Sequence, residues 1–159
     1  MTVKNITFTL IDENDEASIQ TIAGWYQQEW DISPLSTKQR LAGISVSGLP
    51  FHVLMEVDGL PIATGGVHFS VSLLTSHPRL SVHKYWLALV YTLPAFRNQG
   101  YGSMLCSKIE SIANARGIEC LHLFTHTAES LYKKLGWKQI DSIDKLEKQV
   151  VIMHKFLTF

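Results

Sequence analysis

An apolar run, Tyr85-Trp86-Leu87-Ala88-Leu89-Val90-Tyr91, passes through Pro94 into Arg97-Asn98-Gln99-Gly100-Tyr101-Gly102, and a helical pattern follows. A segment apolar on both faces reads as a central strand, covered by other elements above and below. The residues after the turn carry an apolar stripe, Leu105, Ile109, Ile112 and Ala113, which predicts a helix over about 101–116 with Arg116 and Gly117 at its end. A further strand is expected at 119–125, so the turn lies inside a right-handed β-α-β crossover, which excludes all-α and all-β folds. A strand, a glycine-bearing turn and a helix start, in that order, make an anion site. The free N–H groups of the first helical turn and the helix dipole favour negative charge, and glycine lets backbone approach a phosphate closely.

Around this unit the pattern is mixed. Residues 5–11 alternate as a strand. Residues 15–30 place Ile19, Ile22, Ala23, Tyr26 and Trp30 at helical spacing, with Asp15 and Glu16 in the first turn. Ser36-Thr37-Lys38-Gln39 has capping-box form and predicts the start of a short second helix there. Residues 51–57 and 61–71 are rich in β-formers and joined through Asp58-Gly59, a hairpin signal. Residues 72–83, with Pro78, read as a polar loop. A short helix over 128–135 stops at Gly136, and strands at about 137–142 and 148–156 follow. The order β-α-α-β-β-β-α-β-α-β-β predicts an α/β (α+β) fold, a mixed and mostly antiparallel sheet flanked by helices, in one domain over residues 1–159.

The 159 residues suffice for a single core, and 46% apolar against 18% charged content is that of a soluble globular chain. The formal net charge is zero, which argues against a nucleic-acid partner or a membrane surface recognised through a basic field. No apolar run approaches the ~20 residues of a membrane span. The stretch Met1-Thr2-Val3-Lys4-Asn5 lacks the core of an export signal. Cys106 and Cys120 sit in apolar patterns and read as reduced, buried thiols, so a cytoplasmic location is expected. The seven histidines, His52, His68, His77, His83, His122, His126 and His154, show no paired ligand spacing along the chain, so no metal is expected.

Two phosphate motifs fail at the glycine turn. A Walker loop requires Lys-Ser/Thr after its last glycine, where this chain has Ser103-Met104. A dinucleotide fingerprint requires a third glycine, where Leu105 stands, and an acidic residue ending the next strand, where Phe124-Thr125 stand. The wider segment, Val90-Tyr91-Thr92-Leu93-Pro94-Ala95-Phe96-Arg97-Asn98-Gln99-Gly100-Tyr101-Gly102, resembles the acyl-CoA signature of the GNAT superfamily of N-acetyltransferases. One strand later, Ala128-Glu129-Ser130-Leu131-Tyr132-Lys133-Lys134-Leu135-Gly136-Trp137 resembles the family's late segment, Ala-x-x-Leu-Tyr-x-x-Leu-Gly-Phe/Trp.

That resemblance implies acetyl-CoA as acetyl donor. The backbones of Leu89, Val90 and Tyr91 would meet the acetyl group and the pantetheine arm, with the Val90 N–H polarising the thioester carbonyl. Arg97, Asn98, Gln99, Gly100, Tyr101 and Gly102 would cradle the pyrophosphate. Tyr132 matches the family's general acid. A phenol near pKa ~10 can protonate an alkyl thiolate whose thiol lies at about 8.5. Thr125 stands where the family often has an asparagine and is carried over as a cofactor contact. Glu29, His68, His126 and Glu129 are the candidate bases, and none stands out. For the acceptor, Glu29 and Asp31 would attract a cationic amine, with Tyr26 and Trp30 as its aromatic wall. The implied activity is transfer of an acetyl group to a primary amine of a small molecule, peptide or protein, by direct attack in a ternary complex. The alternative is a CoA-responsive binding or regulatory module without turnover. Family members often form homodimers, and no segment of the sequence locates an interface.

Overall fold

The computed structural model describes residues 4–158; Met1-Thr2-Val3, part of the stretch read against an export signal, lies outside them, as does Phe159. The described residues form seven strands: β1 (Ile6–Leu10), β2 (Phe51–Val57), β3 (Leu60–His68), β4 (Trp86–Thr92), β5 (Cys120–Thr125), β6 (Lys138–Lys145) and β7 (Lys148–Phe156). The helices are α1 (Glu16–Trp30), α2 (Pro34–Leu41), α3 (Leu73–Ser76), α4 (Tyr101–Ala115) and α5 (Glu129–Lys134). The strands take the order β1-β2-β3-β4-β5-β7-β6. The pairs β1–β2, β2–β3, β5–β7 and β6–β7 are antiparallel, and β4–β5 is parallel, as a crossover through α4 requires. The expected mixed, mostly antiparallel α/β fold is therefore observed. Among the described residues, no helix is long and apolar enough to cross a membrane.

The chain divides into two compact units. The first runs to Val67 and resumes over Leu89–Ile109; the second takes His68–Ala88 and the chain from Glu110 onward. In the first unit Asp15 caps α1 by accepting from the Ser18 N–H at 3.2 Å. The periodic positions Ile19, Ile22, Ala23 and Tyr26 are buried. They join Ile11, Leu41, Ile44, Leu54 and Tyr91 in the unit's core. The hairpin between β2 and β3 turns at Asp58 (φ 51°) and Gly59 (φ 80°), the paired left-handed residues of a type I′ turn.

One residue of β4 departs from strand geometry. Leu89 has φ 60°, a conformation that costs an L residue about 1–2 kcal/mol. The Tyr26 hydroxyl holds it, donating to the Leu89 carbonyl at 2.6 Å. That hydroxyl also lies 3.0 Å from His52 Nε2. Since its single proton points at Leu89, the Nε2–H of His52 must be the donor in this second bond. Burial raises the Tyr26 phenol well above its usual range, so it stays a neutral donor. Gly66, the strand partner of His52, leaves room for that ring: a Cβ there would come within 2.4 Å of His52 Nδ1 and 2.3 Å of the Phe51 carbonyl oxygen.

Three local expectations need correction. The cap of α2 is Ser33, whose hydroxyl accepts from the Ser36 N–H at 3.1 Å, with Pro34 at the first helical position. Ser36 is thus inside the helix it was expected to cap, because proline already supplies the first helical φ. The segment 72–83 is not a plain loop but α3 followed by a 3₁₀ turn over Pro78–Val82, since Leu73 and Leu80 are buried and anchor it. The strand expected at about 137–142 runs on to Lys145, while the last keeps its expected bounds. They turn through Leu146 and Glu147, both left-handed (φ 48° and 65°) although neither is glycine or asparagine.

In the second unit Glu110 of α4 is buried (3% exposed) and meets Lys155 of β7 at 2.6 Å. Lys155 also donates to the Leu135 carbonyl at 2.6 Å, tying the end of α5 to β7. The next residue, Gly136, is left-handed (φ 94°) and lies beside the Lys155 stem.

Two measurements check these linkages. Tyr26→Phe orphans the Leu89 carbonyl and should lower stability in urea unfolding by about 1–3 kcal/mol. Lys155→Met leaves an uncompensated buried carboxylate and should cost about 3 kcal/mol, most of it recovered in Lys155→Met/Glu110→Leu.

Candidate active site

In the first unit the end of β4 and the following turn carry the predicted donor residues. Leu89 and Val90 are half-buried, Tyr91 is buried, and Leu93 donates back to the Ile62 carbonyl at 2.8 Å. Pro94–Phe96 form a 3₁₀ turn, after which the chain is extended at Arg97 and left-handed at Asn98 (φ 62°) and Gly100 (φ 88°). Left-handed residues on either side of Gln99 give the alternation of φ from which anion-binding nests are built. Helix α4 opens at once. Its first internal bond runs from the Met104 N–H to the Gly100 carbonyl at 3.1 Å, so the N–H groups of Tyr101, Gly102 and Ser103 precede the helix's own ladder. With 15 residues the helix has a full macrodipole behind them.

The glycines fit this role. Gly100 needs its left-handed φ. At Gly102 a Cβ would meet only Thr92 Oγ1, at 3.8 Å, so packing within the protein gives no reason for glycine there. The space over the helix start at that position is left open. The Tyr101 side chain is buried and near Lys4, whose Nζ donates to its hydroxyl at 3.3 Å. Its backbone N–H is therefore what it offers to a ligand. Gln99 is exposed and bonds its own turn, Nε2 to the Ala95 carbonyl at 3.0 Å.

Arg97 is held on three sides. Its Nε donates to the Thr92 carbonyl at 2.8 Å, its terminal nitrogen meets Glu29 at 3.2 Å, and the guanidinium lies 5.5 Å from the Tyr91 ring centre. Burial raises the Tyr91 phenol, with the Arg97 charge pulling the other way. The structure thus brings the acceptor candidate Glu29 directly onto the donor candidate Arg97. Around them Trp25 stacks on Tyr91 at 5.3 Å, Tyr26 on Trp30 at 5.1 Å, and Trp30 meets Tyr91 edge-on at 6.1 Å. Trp30 is 42% exposed and Asp31 is exposed, so both are accessible. Tyr26 is not: it is fully buried and acts on Leu89 rather than as an open wall.

In the second unit Thr125 and Tyr132 come together through Ala128. Thr125 Oγ1 accepts from the Ala128 N–H at 3.0 Å and so starts α5, one turn before Tyr132, whose N–H bonds the Ala128 carbonyl at 3.2 Å. The Tyr132 ring is buried edge-on to Trp137, 6.0 Å away. Of the candidate bases, Glu129 pairs with Lys133 at 2.9 Å, His68 is buried and His126 is exposed.

Sequence spacing did not reveal one further grouping. Cys120, His122 and His154 each place a ligand atom within 4.8 Å of the others, because the β5–β7 register sets His122 opposite His154. The expectation of no metal rested on spacing along one strand or helix, which cannot register a set assembled across two strands. Burial, with His83 and His154 nearby, pushes His122 down to about 4, so its ring is neutral at pH 7.

The chain matches the model of the acetyltransferase (GNAT) family over residues 12–137. No curated protein matches it. Solved structures share its fold at low identity. An aminoglycoside 6'-N-acetyltransferase complexed with coenzyme A superposes with a TM-score of 0.74 at 13% identity, covering 96% of this chain and 97% of that one. The acetyltransferase of GNAT family from Streptococcus pneumoniae gives 0.73 at 17% identity, covering 97% and 100%. The ribosomal-protein-S18-alanine N-acetyltransferase from Escherichia coli gives 0.73 at 12%, covering 98% and 96%. The resemblance carried by the glycine turn and the Tyr132 segment is borne out: this chain belongs to the GNAT acetyltransferase family, an enzyme family whose acetyl donor is acetyl-CoA.

Proposed function

We propose that the chain moves the acetyl group of acetyl-CoA onto a primary amine of a small molecule or peptide, by direct attack in a ternary complex, and that residues 1–159 act as one such domain. The observation that carries this is the nest at Asn98–Gly100 opening α4, immediately after a β4 end whose left-handed Leu89 is fixed by Tyr26. The family match spans segments of both units.

Acetyl-CoA supplies the thioester carbonyl that an amine attacks. The main-chain N–H groups of Asn98 to Gly102 receive the pyrophosphate, and the helix dipole adds to their field. Arg97 adds charge-assisted bonding, with Glu29 orienting the guanidinium until phosphate competes for it. At Leu89, Val90 and Tyr91 the backbone serves, and the Val90 N–H stabilises negative charge developing on the carbonyl oxygen. Tyr132 gives its proton to the departing thiolate and regains one from solvent, the proton lost by the attacking amine passing to water, and Thr125 sets the start of α5 and reaches the cofactor. The exposed Trp30 ring, with Glu29 and Asp31, receives a cationic acceptor. Direct attack agrees with the cysteines: Cys106 is buried within α4, and burial raises the Cys120 thiol, so neither is an activated thiolate. Reduced thiols also fit a cytoplasmic location.

Two kinetic measurements decide this reading once a screen of amines, aminoglycosides, polyamines and peptide N-termini for CoA release has found an acceptor. Tyr132→Phe should lower kcat by about 100-fold or more while acetyl-CoA affinity stays within about twofold. An unchanged kcat removes its role, and no release with any amine favours a binding module. Glu29→Gln with Asp31→Asn should raise KM for a cationic acceptor by about tenfold. An unchanged kcat/KM places the acceptor elsewhere.

A further inference from the structure

The second unit carries a cluster of soft and borderline ligands that acetyl transfer does not use. Cys120 and His122 alternate along β5 and so face the same side, while Leu121 and Leu123 between and beyond them are buried on the other. His154 stands directly opposite His122 on β7. One ligand atom from each of the three lies within 4.8 Å of the other two, and all three side chains are half-buried, so an ion can reach them from solvent.

The His122 ring is also held in place. His83 stacks on it at 3.9 Å between ring centres and 19° between planes, and Trp86 and His154 lie 5.9 Å away. His83 in turn sits under Trp86, whose indole N–H donates to the His83 carbonyl at 2.9 Å. The clamped ring keeps Nδ1 buried with no hydrogen-bond partner. A buried nitrogen left unmatched is unusual, and here it belongs to a residue already within reach of a thiol and a second imidazole.

The chemistry of the set selects the ion. A thiol and two imidazoles, with no carboxylate among them, disfavour Mg2+ and Ca2+ and suit Zn2+. Tetrahedral bonds of about 2.3 Å to sulfur and 2.0–2.1 Å to nitrogen place the donors roughly 3.4–3.6 Å apart. The set must therefore draw in by about 1 Å from its present spread, which side-chain rotation of Cys120 and His154 can supply around the fixed His122 ring. We propose that Cys120, His122 and His154 form a Zn2+ site on the half-buried face that they share on β5 and β7, with thiolate and two imidazole ligands and a fourth position open to water or an exogenous ligand. His83 is a positioning residue in this site, through its stack on His122. The site stands apart from the acetyl-transfer reading and needs none of its residues.

The test is titration of the full chain, reduced and freed of metal, with Co2+ as the spectroscopic probe and Zn2+ as competitor. The wild type should develop a thiolate-to-Co2+ charge-transfer band with the d–d absorption of a tetrahedral ion, and one equivalent of Zn2+ should abolish both. Cys120→Ser should lose the charge-transfer band, and Cys106→Ala should keep it. Zn2+ affinity, read by chelator competition, should fall by at least about 100-fold in His154→Ala, and by about tenfold in His83→Ala. No charge-transfer band in the wild type, or a band that survives Cys120→Ser, overturns the site. Should His154→Ala lose its native circular dichroism, His154→Gln takes its place, and wild-type Zn2+ affinity in that variant also overturns it.

Discussion

The hydrogen bond from the Tyr26 hydroxyl to the Leu89 carbonyl is the contact on which the donor end of the first unit depends. A leucine in the middle of a strand does not adopt φ 60° unaided. The bond holds it there, and a fully buried, neutral phenol, itself fixed by His52, makes that hold stiff. The ring of His52 fits because its strand partner is Gly66. One chain of contacts thus runs from a glycine of β3, through a histidine of β2 and a tyrosine of α1, to the left-handed residue of β4 before the glycine turn. Bonds of this sort are individually modest, about 1 kcal/mol net, but a carbonyl left unmatched at that point would release the strained residue as well.

What the sequence made legible was whatever local physics decides. The apolar run of β4, the helical spacing in α1 and α4, and the Asp58-Gly59 turn each have their cause within a few residues. The glycine turn was legible for the same reason: Gly100 needs its φ, and Gly102 has space over it that the protein leaves unfilled. What escaped had causes elsewhere in the chain. Leu89 looked like ordinary strand because Tyr26 is distant in sequence. Ser36 has the form of a cap, but Pro34 two residues before it already sets the first helical φ. The segment after β3 looked like a loop because Leu73 and Leu80 are isolated apolar residues in polar surroundings, and only their burial gives them weight. Glu110 gave no sign of burial because Lys155 lies on the last strand.

The site residues divide in the same way. The backbone roles proposed at Asn98–Gly102 rest on conformation and the helix start. Side-chain roles depended on partners no motif lists. Arg97 is engaged by Glu29, which joins two residues assigned to different ligands, and Tyr26 is structural where an aromatic wall was expected. The ligand set on β5 and β7 was invisible to linear spacing because antiparallel pairing, not a helix or a loop, brings His154 to His122. Family membership says which donor to expect, while the surface proposed for the acceptor lies around the exposed Trp30 and Asp31.

The central claim is that acetyl-CoA is held by main-chain N–H groups at the end of β4 and the start of α4. Backbone amide spectra of the isotopically labelled protein, recorded as acetyl-CoA is added, read those groups one by one. The account predicts saturable shifts concentrated at Val90 and at Asn98 to Ser103. Binding that leaves these amides unmoved while shifting others would contradict it.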